Sequence, residues 1–455
     1  MADSSSSLAS PISPPDTSRS LKQVIWLALP IMAGMASQSL MNIVDALFVG
    51  QLGEMSLAAV GVGAYLNFMA TALIMGISSS VQAMVARRRG QGRLDALAAP
   101  LGKGLLLSLV VGLSLTLLFW LLAPTLVAMM LSDPESQRIA GEYLQIRVLG
   151  ISLVAANFAY RGYWNGRGRS LIYLRTLIIY HSLNVLLTWL LVFGHWGLPA
   201  LGVAGAAWGT TLALLFGTLL YSAQTVRPAL KQGLLNRGNA GGSLVDLLRL
   251  AVPHSLQQFF FAMGIATLFW IIAQIGLREV AIAHVLVNLA LFLILPAVGI
   301  GMASTTLVSQ SLGAGRPEQA RRFGWQVVGL AMVLLGTFAL PMLLVPEWVL
   351  GFFLHTPEAV AMGVTPLRMT SVAVVLDAVG IVLAQALLGA GANRTVLKVS
   401  ISLQWGLLLP LAWLLGPGLG GSLTAVWSVQ LLFRCLNSAV FATIWQRGHW
   451  QHIKV

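Results

Sequence analysis

Residues 27–97 open with Leu27-Ala-Leu-Pro30 and close with Gly90-Gln-Gly92-Arg93-Leu-Asp95-Ala-Leu97. Residues 250–320 open with Leu250-Ala-Val-Pro253 and close with Gly313-Ala-Gly315-Arg316-Pro-Glu318-Gln-Ala320. The two stretches align without a gap at a single offset (253−30=223), which also pairs Gly53 with Gly276 and Gly76 with Gly299. The same offset holds far downstream, where Gly166 and Gly168 meet Gly389 and Gly391. A chain that repeats a long apolar unit in one direction is built from two like halves.

The solvent around those halves follows from composition. The chain of 455 residues is 57% hydrophobic and 9% charged, with mean hydropathy +0.83. Soluble proteins carry about 25% charged residues, so lipid must cover much of this surface. The apolar runs are too long for the alternating ~10-residue strands of a membrane β-barrel. The net charge of +13 sits in short loops, where membrane topology places basic residues, so a nucleic-acid partner is not expected. Cys435 is the only cysteine, which excludes an internal disulfide and a thiolate metal site.

The expected fold is an all-α polytopic membrane protein of twelve transmembrane helices, arranged as two parallel six-helix repeats around a central cleft. The first half reads as spans at 24–49, 56–86, 101–130, 139–165, 171–194 and 202–225. The second reads as 245–274, 279–310, 324–346, 360–388, 395–415 and 421–446. The domain reading is a disordered tail over 1–20, an N-lobe over 21–226, a linker over 227–243 and a C-lobe over 244–455. Arg87, Arg88, Arg89, Arg93, Arg167, Arg169, Arg227, Lys231, Arg237, Arg316, Arg321, Arg322 and Arg394 all fall in or beside even-numbered loops. The positive-inside rule then puts both termini in the cytoplasm of a bacterial-type inner membrane. The first span is expected to serve as an uncleaved insertion signal.

Ionisable residues within spans are costly in lipid and are functional candidates by default. Asp45 lies five residues before Gly50 in span 1, roughly 8 Å below the outer end. Asp377 lies near mid-depth in span 10 and is either a functional carboxylate or a hydrogen-bonded structural group, whereas Asp45 is either a cleft-facing carboxylate that exchanges a proton or binds a cation, or one that snorkels to the outer surface. Asn184 and Thr188, one turn apart on span 5, Thr210 on span 6 and Gln38 below Asp45 are candidates to converge with Asp45. Arg161, near the basic end of span 4 with Asn157 a turn deeper, is read as snorkelling to the surface, the alternative being a cleft-facing cation. His254 and His284 read as satisfied polar contacts. Pro30 and Gly34 mark places where span 1 can bend. No phosphate-binding Gly-Lys-Ser/Thr loop, His-Glu-x-x-His motif or nucleophile elbow is present, so an ion gradient rather than ATP is the expected drive, and no cofactor or enzyme activity is expected.

Several of these runs resemble the MATE (multidrug and toxic compound extrusion) transporters. They are Leu27-Ala-Leu-Pro30 and Val44-Asp45-Ala-Leu-Phe-Val-Gly50; Asn184, Phe193-Gly194 and Gly202-Val-Ala-Gly205-Ala-Ala-Trp-Gly-Thr210; and Asp377-Ala378 followed by Ala386-Leu-Leu-Gly389-Ala-Gly391. The resemblance implies efflux of cationic or amphipathic organic compounds in antiport with protons or sodium. It makes Asp45 the N-lobe carboxylate, supported by Asn184 and Thr210, and Asp377 the C-lobe acid. Two departures stand out. Thr188 occupies the place of a second N-lobe acid, and Phe261 lies near the place of an acid found in the NorM-like branch. The reduced acid set resembles the DinF-like branch and favours protons over sodium, since a hard cation needs several oxygen ligands. The expected partners are small organic molecules, protons or sodium ions and membrane lipid, with the chain acting as a monomer. The alternatives are sodium-coupled antiport, a lipid-linked oligosaccharide flippase of the same superfamily, a major-facilitator-type carrier, for which nested repeats are missing, and a membrane enzyme.

Overall fold

The computed structural model describes residues 17–235, 243–354 and 356–453. All regular structure among them is helical. The N-terminal half runs α1 (Thr17–Gly50), α2 (Glu54–Ala72), α3 (Gly76–Gly90), α4 (Ala99–Ala128), α5 (Pro134–Val148), α6 (Ile151–Gly166), α7 (Ser170–Phe193) and α8 (Gly202–Leu230). The C-terminal half runs α9 (Leu244–Ala273), α10 (Leu277–Gly313), α11 (Pro317–Leu344), the short α12 (Pro346–Gly351), α13 (Pro357–Ala390), α14 (Asn393–Leu403), α15 (Leu409–Trp413) and α16 (Leu423–Arg447).

Eleven helical segments are long and apolar enough to cross a membrane, and α5 with α6, bent by 46°, makes a twelfth. The chain is an integral membrane protein, and α4 shows why. Leu106, Leu109, Val110, Leu113, Leu117 and Leu121 recur at helical spacing and are all exposed. Such a stripe is stable only against hydrocarbon.

Several element boundaries differ from the sequence reading. The fourth span is a bent pair that begins five residues earlier than expected, because Asp133 caps α5 by accepting from the Ser136 N–H at 2.8 Å. This bond holds the exposed Asp133 carboxyl below its usual range. The eleventh span carries wide π turns at Gln404–Leu408 and Leu414–Gly418, around α15. The linker is shorter than expected, since α8 continues to Leu230 and Gln232 docks by accepting from the Ala98 N–H at 2.9 Å. Residues 236–242 of the linker and 1–16 of the tail lie outside the described residues, while Thr17–Ser20 already belong to α1.

The two halves pack as two lobes that exchange the leading parts of α1 and α9. Val24 and Leu27 of α1 are buried in the apolar core of the C-lobe, and Leu247 and Leu250 of α9 in that of the N-lobe. These are the same positions one repeat apart (24+223=247; 27+223=250). A matching pair of hydrogen bonds anchors the exchange within each half. Ser170 Oγ donates to the Leu27 carbonyl at 3.0 Å, and Asn393 Nδ2 donates to the Leu250 carbonyl at 2.7 Å. α1 is one unbroken helix through Pro30, and Gly34 is the seat of the Tyr173 ring, with which any Cβ would collide.

Candidate functional site

The lobes meet at the end that carries the basic loops. Gln82 Nε2 on α3 donates to the Met302 carbonyl at 2.7 Å and to Thr306 Oγ1 at 2.8 Å on α10. Thr306 Oγ1 donates to the Asn165 carbonyl at 3.0 Å, and Gln310 Nε2 to the Gly166 carbonyl at 3.1 Å. Arg87 Nη2 reaches the carbonyls of Ala390 and Ile453 at 3.3 and 3.1 Å. Ser79 Oγ meets His254 Nδ1 at 2.5 Å, and the Gly76 N–H donates to Ser255 Oγ at 3.0 Å. His284 is exposed, and its ring Nδ1 meets Asn288 Nδ2 of the same helix at 3.2 Å, so both histidine rings have polar partners.

Toward the opposite end the N-lobe holds a polar chain. Ser37 Oγ meets His181 Nδ1 at 2.7 Å, and His181 Nε2 meets the Tyr180 hydroxyl at 2.9 Å. Tyr180 donates to Gln38 Oε1 at 3.4 Å, and Gln38 Nε2 to Asn42 Oδ1 at 3.3 Å. These directions fit a neutral imidazole protonated at Nε2. The chain ends one helical turn from Asp45. Asp45 Oδ1 is shielded from solvent and has no hydrogen-bond partner among the described residues. Arg147 of α5 acts on it electrostatically, and its guanidinium also interacts with the Tyr143 hydroxyl.

The expected convergence on Asp45 is incomplete in this conformation. Thr188 Oγ1 donates to Asn184 Oδ1 at 3.0 Å, both groups being buried. Thr210 Oγ1 turns to the Ala206 carbonyl of its own helix at 3.0 Å. No hydrogen bond links any of the three to Asp45. Gln38 does join the N-lobe chain, but Asn157 does not, and its amide nitrogen and oxygen are buried without a partner.

Arg161 corrects the sequence reading. Its Nε donates to Ser78 Oγ at 2.9 Å and its guanidinium lies 4.6 Å from the Phe158 ring centroid. The half-buried side chain is directed to α3, where the buried Ser78 supplies an acceptor, instead of reaching the membrane surface.

In the C-lobe, Asp377 is fully engaged. Arg434 Nη1 donates to its Oδ2 at 2.6 Å and Asn437 Nδ2 to its Oδ1 at 2.9 Å, with only 7% of the Asp377 side chain exposed. Both partners lie on α16 and escaped the sequence reading. The signal was present, since an arginine within a span needs a carboxylate or carbonyl partner. Beside this pair α9, α10, α13, α16 and the π turn at Gln404–Leu408 line a largely apolar cavity. Its lining includes Leu268, Thr370, Gln404, Gln430 and Arg434 and no carboxylate.

Two six-span lobes that meet at one end, with polar groups set inside the spans of each, have the build of a membrane carrier. The MatE family model matches residues 30–190 and 253–414, so the chain belongs to the MatE family of transporters. It is 26% identical over 401 residues to the multidrug resistance protein PmpM of Pseudomonas aeruginosa, covering 87% of this chain and 84% of that protein. It is 26% identical over 423 residues to a probable multidrug resistance protein NorM of Pseudomonas putida, covering 90% of each. Among solved structures, it superposes with TM-score 0.88 and 21% identity on a MATE family transporter of the MOP superfamily in an outward-facing conformation, covering 96% of this chain and 97% of that one. A MOP superfamily transporter of Pyrococcus furiosus superposes with TM-score 0.86 and 22% identity, covering 96% and 97%. The DinF-like affinity rests on the acid pattern alone.

Proposed function

We propose that the protein exports amphipathic organic compounds in exchange for protons, by alternating access of the two lobes around the central cleft. The multidrug resistance names of its relatives support the substrate class. The observation that carries proton coupling is Asp45 Oδ1, out of water and without a donor. A carboxylate oxygen in that setting is a binding place for a proton, and the cost of leaving it unpartnered is relieved once one binds. Sodium finds less support, because both oxygens of the other intramembrane acid, Asp377, are occupied by Arg434 and Asn437.

The cycle follows from differential binding. The basic end belongs in the cytoplasm of the inner membrane by the positive-inside rule, so closure there leaves the cleft open outward. Protonation of Asp45 in this state removes its charge beside Arg147 and the Gln38–Asn42 chain, α1 repacks, and bound substrate is released. The protonated carrier then opens inward, loses the proton and reloads. Proteoliposomes containing a pH-sensitive dye, with a proton gradient and no sodium, test this reading. Substrate addition should move protons with wild type and not with Asp45→Asn. Substrate-driven proton movement by Asp45→Asn equal to wild type, or a response that appears only when sodium is supplied, would overturn it.

A further inference from the structure

We infer that the C-lobe cavity is a binding site for organic anions, with Arg434 as its anchor. The inference stands apart from the coupling reading, since it concerns equilibrium binding in the other lobe.

The pseudo-symmetry of the chain makes this cavity the image of the N-lobe site with its polarity changed. Asp45 maps onto Leu268 (45+223=268), Arg147 onto Thr370 (147+223=370) and His181 onto Gln404 (181+223=404). All three C-lobe counterparts line the cavity. At the place of the N-lobe acid the C-lobe thus carries a leucine. The one charged residue in the lining is Arg434, which maps onto Thr211 of the N-lobe (211+223=434).

The donors left in the cavity fit an anion. Arg434 has five N–H groups, and its hydrogen bond among the described residues is the one from Nη1 to Asp377. Its side chain keeps 16% exposure within the cavity. Gln404 and Trp427 already donate, to the Phe261 carbonyl at 3.2 Å and to Thr370 Oγ1 at 2.8 Å. Gln430 has no hydrogen bond among the described residues and lies one turn from Arg434 on α16. A carboxylate or sulfonate accepts from a guanidinium in two parallel bonds, and the apolar walls take an apolar body. An organic cation meets no carboxylate in the lining and a guanidinium at its edge. Asp377 therefore acts as the internal competitor for Arg434.

Two probes of one shape and opposite charge decide the matter, naphthalene-2-sulfonate and 2-naphthyltrimethylammonium. Equilibrium binding is measured on the full chain in nanodiscs of neutral lipid. Wild type should bind the sulfonate with a Kd at least about tenfold below that of Arg434→Gln, and Arg434→Lys should retain part of the difference. Asp377→Asn removes the competitor and should tighten sulfonate binding several-fold, a gain that a merely destabilised protein cannot give. Competition by phosphatidylglycerol added to the nanodisc would identify a lipid headgroup as the source of the anion and support the site. Equal sulfonate affinity in wild type and Arg434→Gln, or weaker sulfonate binding in folded Asp377→Asn, would overturn the inference. So would tighter binding of the ammonium probe than of the sulfonate by wild type.

Discussion

Gly90 and Gly313 make the same contact in opposite directions. Gly90, at the end of α3, lies against the Gln310 carbonyl, and Gly313, at the end of α10, lies against the Arg87 carbonyl. The partners are themselves one repeat apart (87+223=310; 90+223=313). Gly76 and Gly299 also sit against the opposite lobe, Gly76 against the Ala251 carbonyl and Ser255 and Gly299 against the Met32 backbone. The lobes close on one another about a pseudo-twofold axis through glycines that leave room for backbone.

A Cβ at either terminal glycine would overlap a carbonyl oxygen only while the basic end is closed. Gly90→Ala or Gly313→Ala should therefore disfavour the closed state by about 1–3 kcal/mol, a shift of about fivefold to 150-fold in the equilibrium between closed and open states. Spin labels on the ends of α3 and α10 should report longer distances, with the lobes still folded. Unchanged distances and transport would count against closure through these glycines.

Arg87 joins α3 to the end of α13 and to the Ile453 carbonyl, and only 7% of it is exposed. Arg87→Ala should weaken closure by about 2 kcal/mol. It should also free the C-terminal segment, so that carboxypeptidase removes it faster than from wild type. The stack of Trp445 on Trp450, 3.9 Å between centroids, would remain as its tether.

Asp377 and Arg434 are largely buried, and removing one leaves the other uncompensated. Asp377→Ala should lower stability by about 3–5 kcal/mol, read from thermal unfolding in detergent. The double variant Asp377→Leu with Arg434→Leu should recover most of that loss. A double variant as unstable as the sum of the single ones would show that the pair does not act as a unit.

Thr188 offers its hydroxyl to Asn184 and not to Asp45 in this conformation. Thr188→Val should cost about 1 kcal/mol of stability while leaving proton-coupled transport near wild type. A loss of coupling as large as that from Asp45→Asn would instead make the hydroxyl part of the proton site.

The sequence by itself determined the membrane setting, the helical class and the two-fold plan. Each rests on local or periodic properties: apolar runs too long for soluble packing, and glycines, prolines and loop arginines recurring at one offset. It also exposed Asp45 and Asp377, because a carboxylate inside an apolar run is visible without any partner. What it did not contain is which groups meet. Arg434 and Asn437 reach Asp377 across 57 and 60 residues of chain. Arg161 turns inward to Ser78 over 83 residues, and the Ser37–His181 link spans 144. Those choices depend on how helices are rotated against their neighbours, which apolar periodicity leaves open when lipid and core are equally apolar. The exchanged leading parts of α1 and α9 and the glycine contacts at the basic end are likewise products of the lobes docking. The repeat marked those positions in the sequence, and only the tertiary structure showed that they face each other.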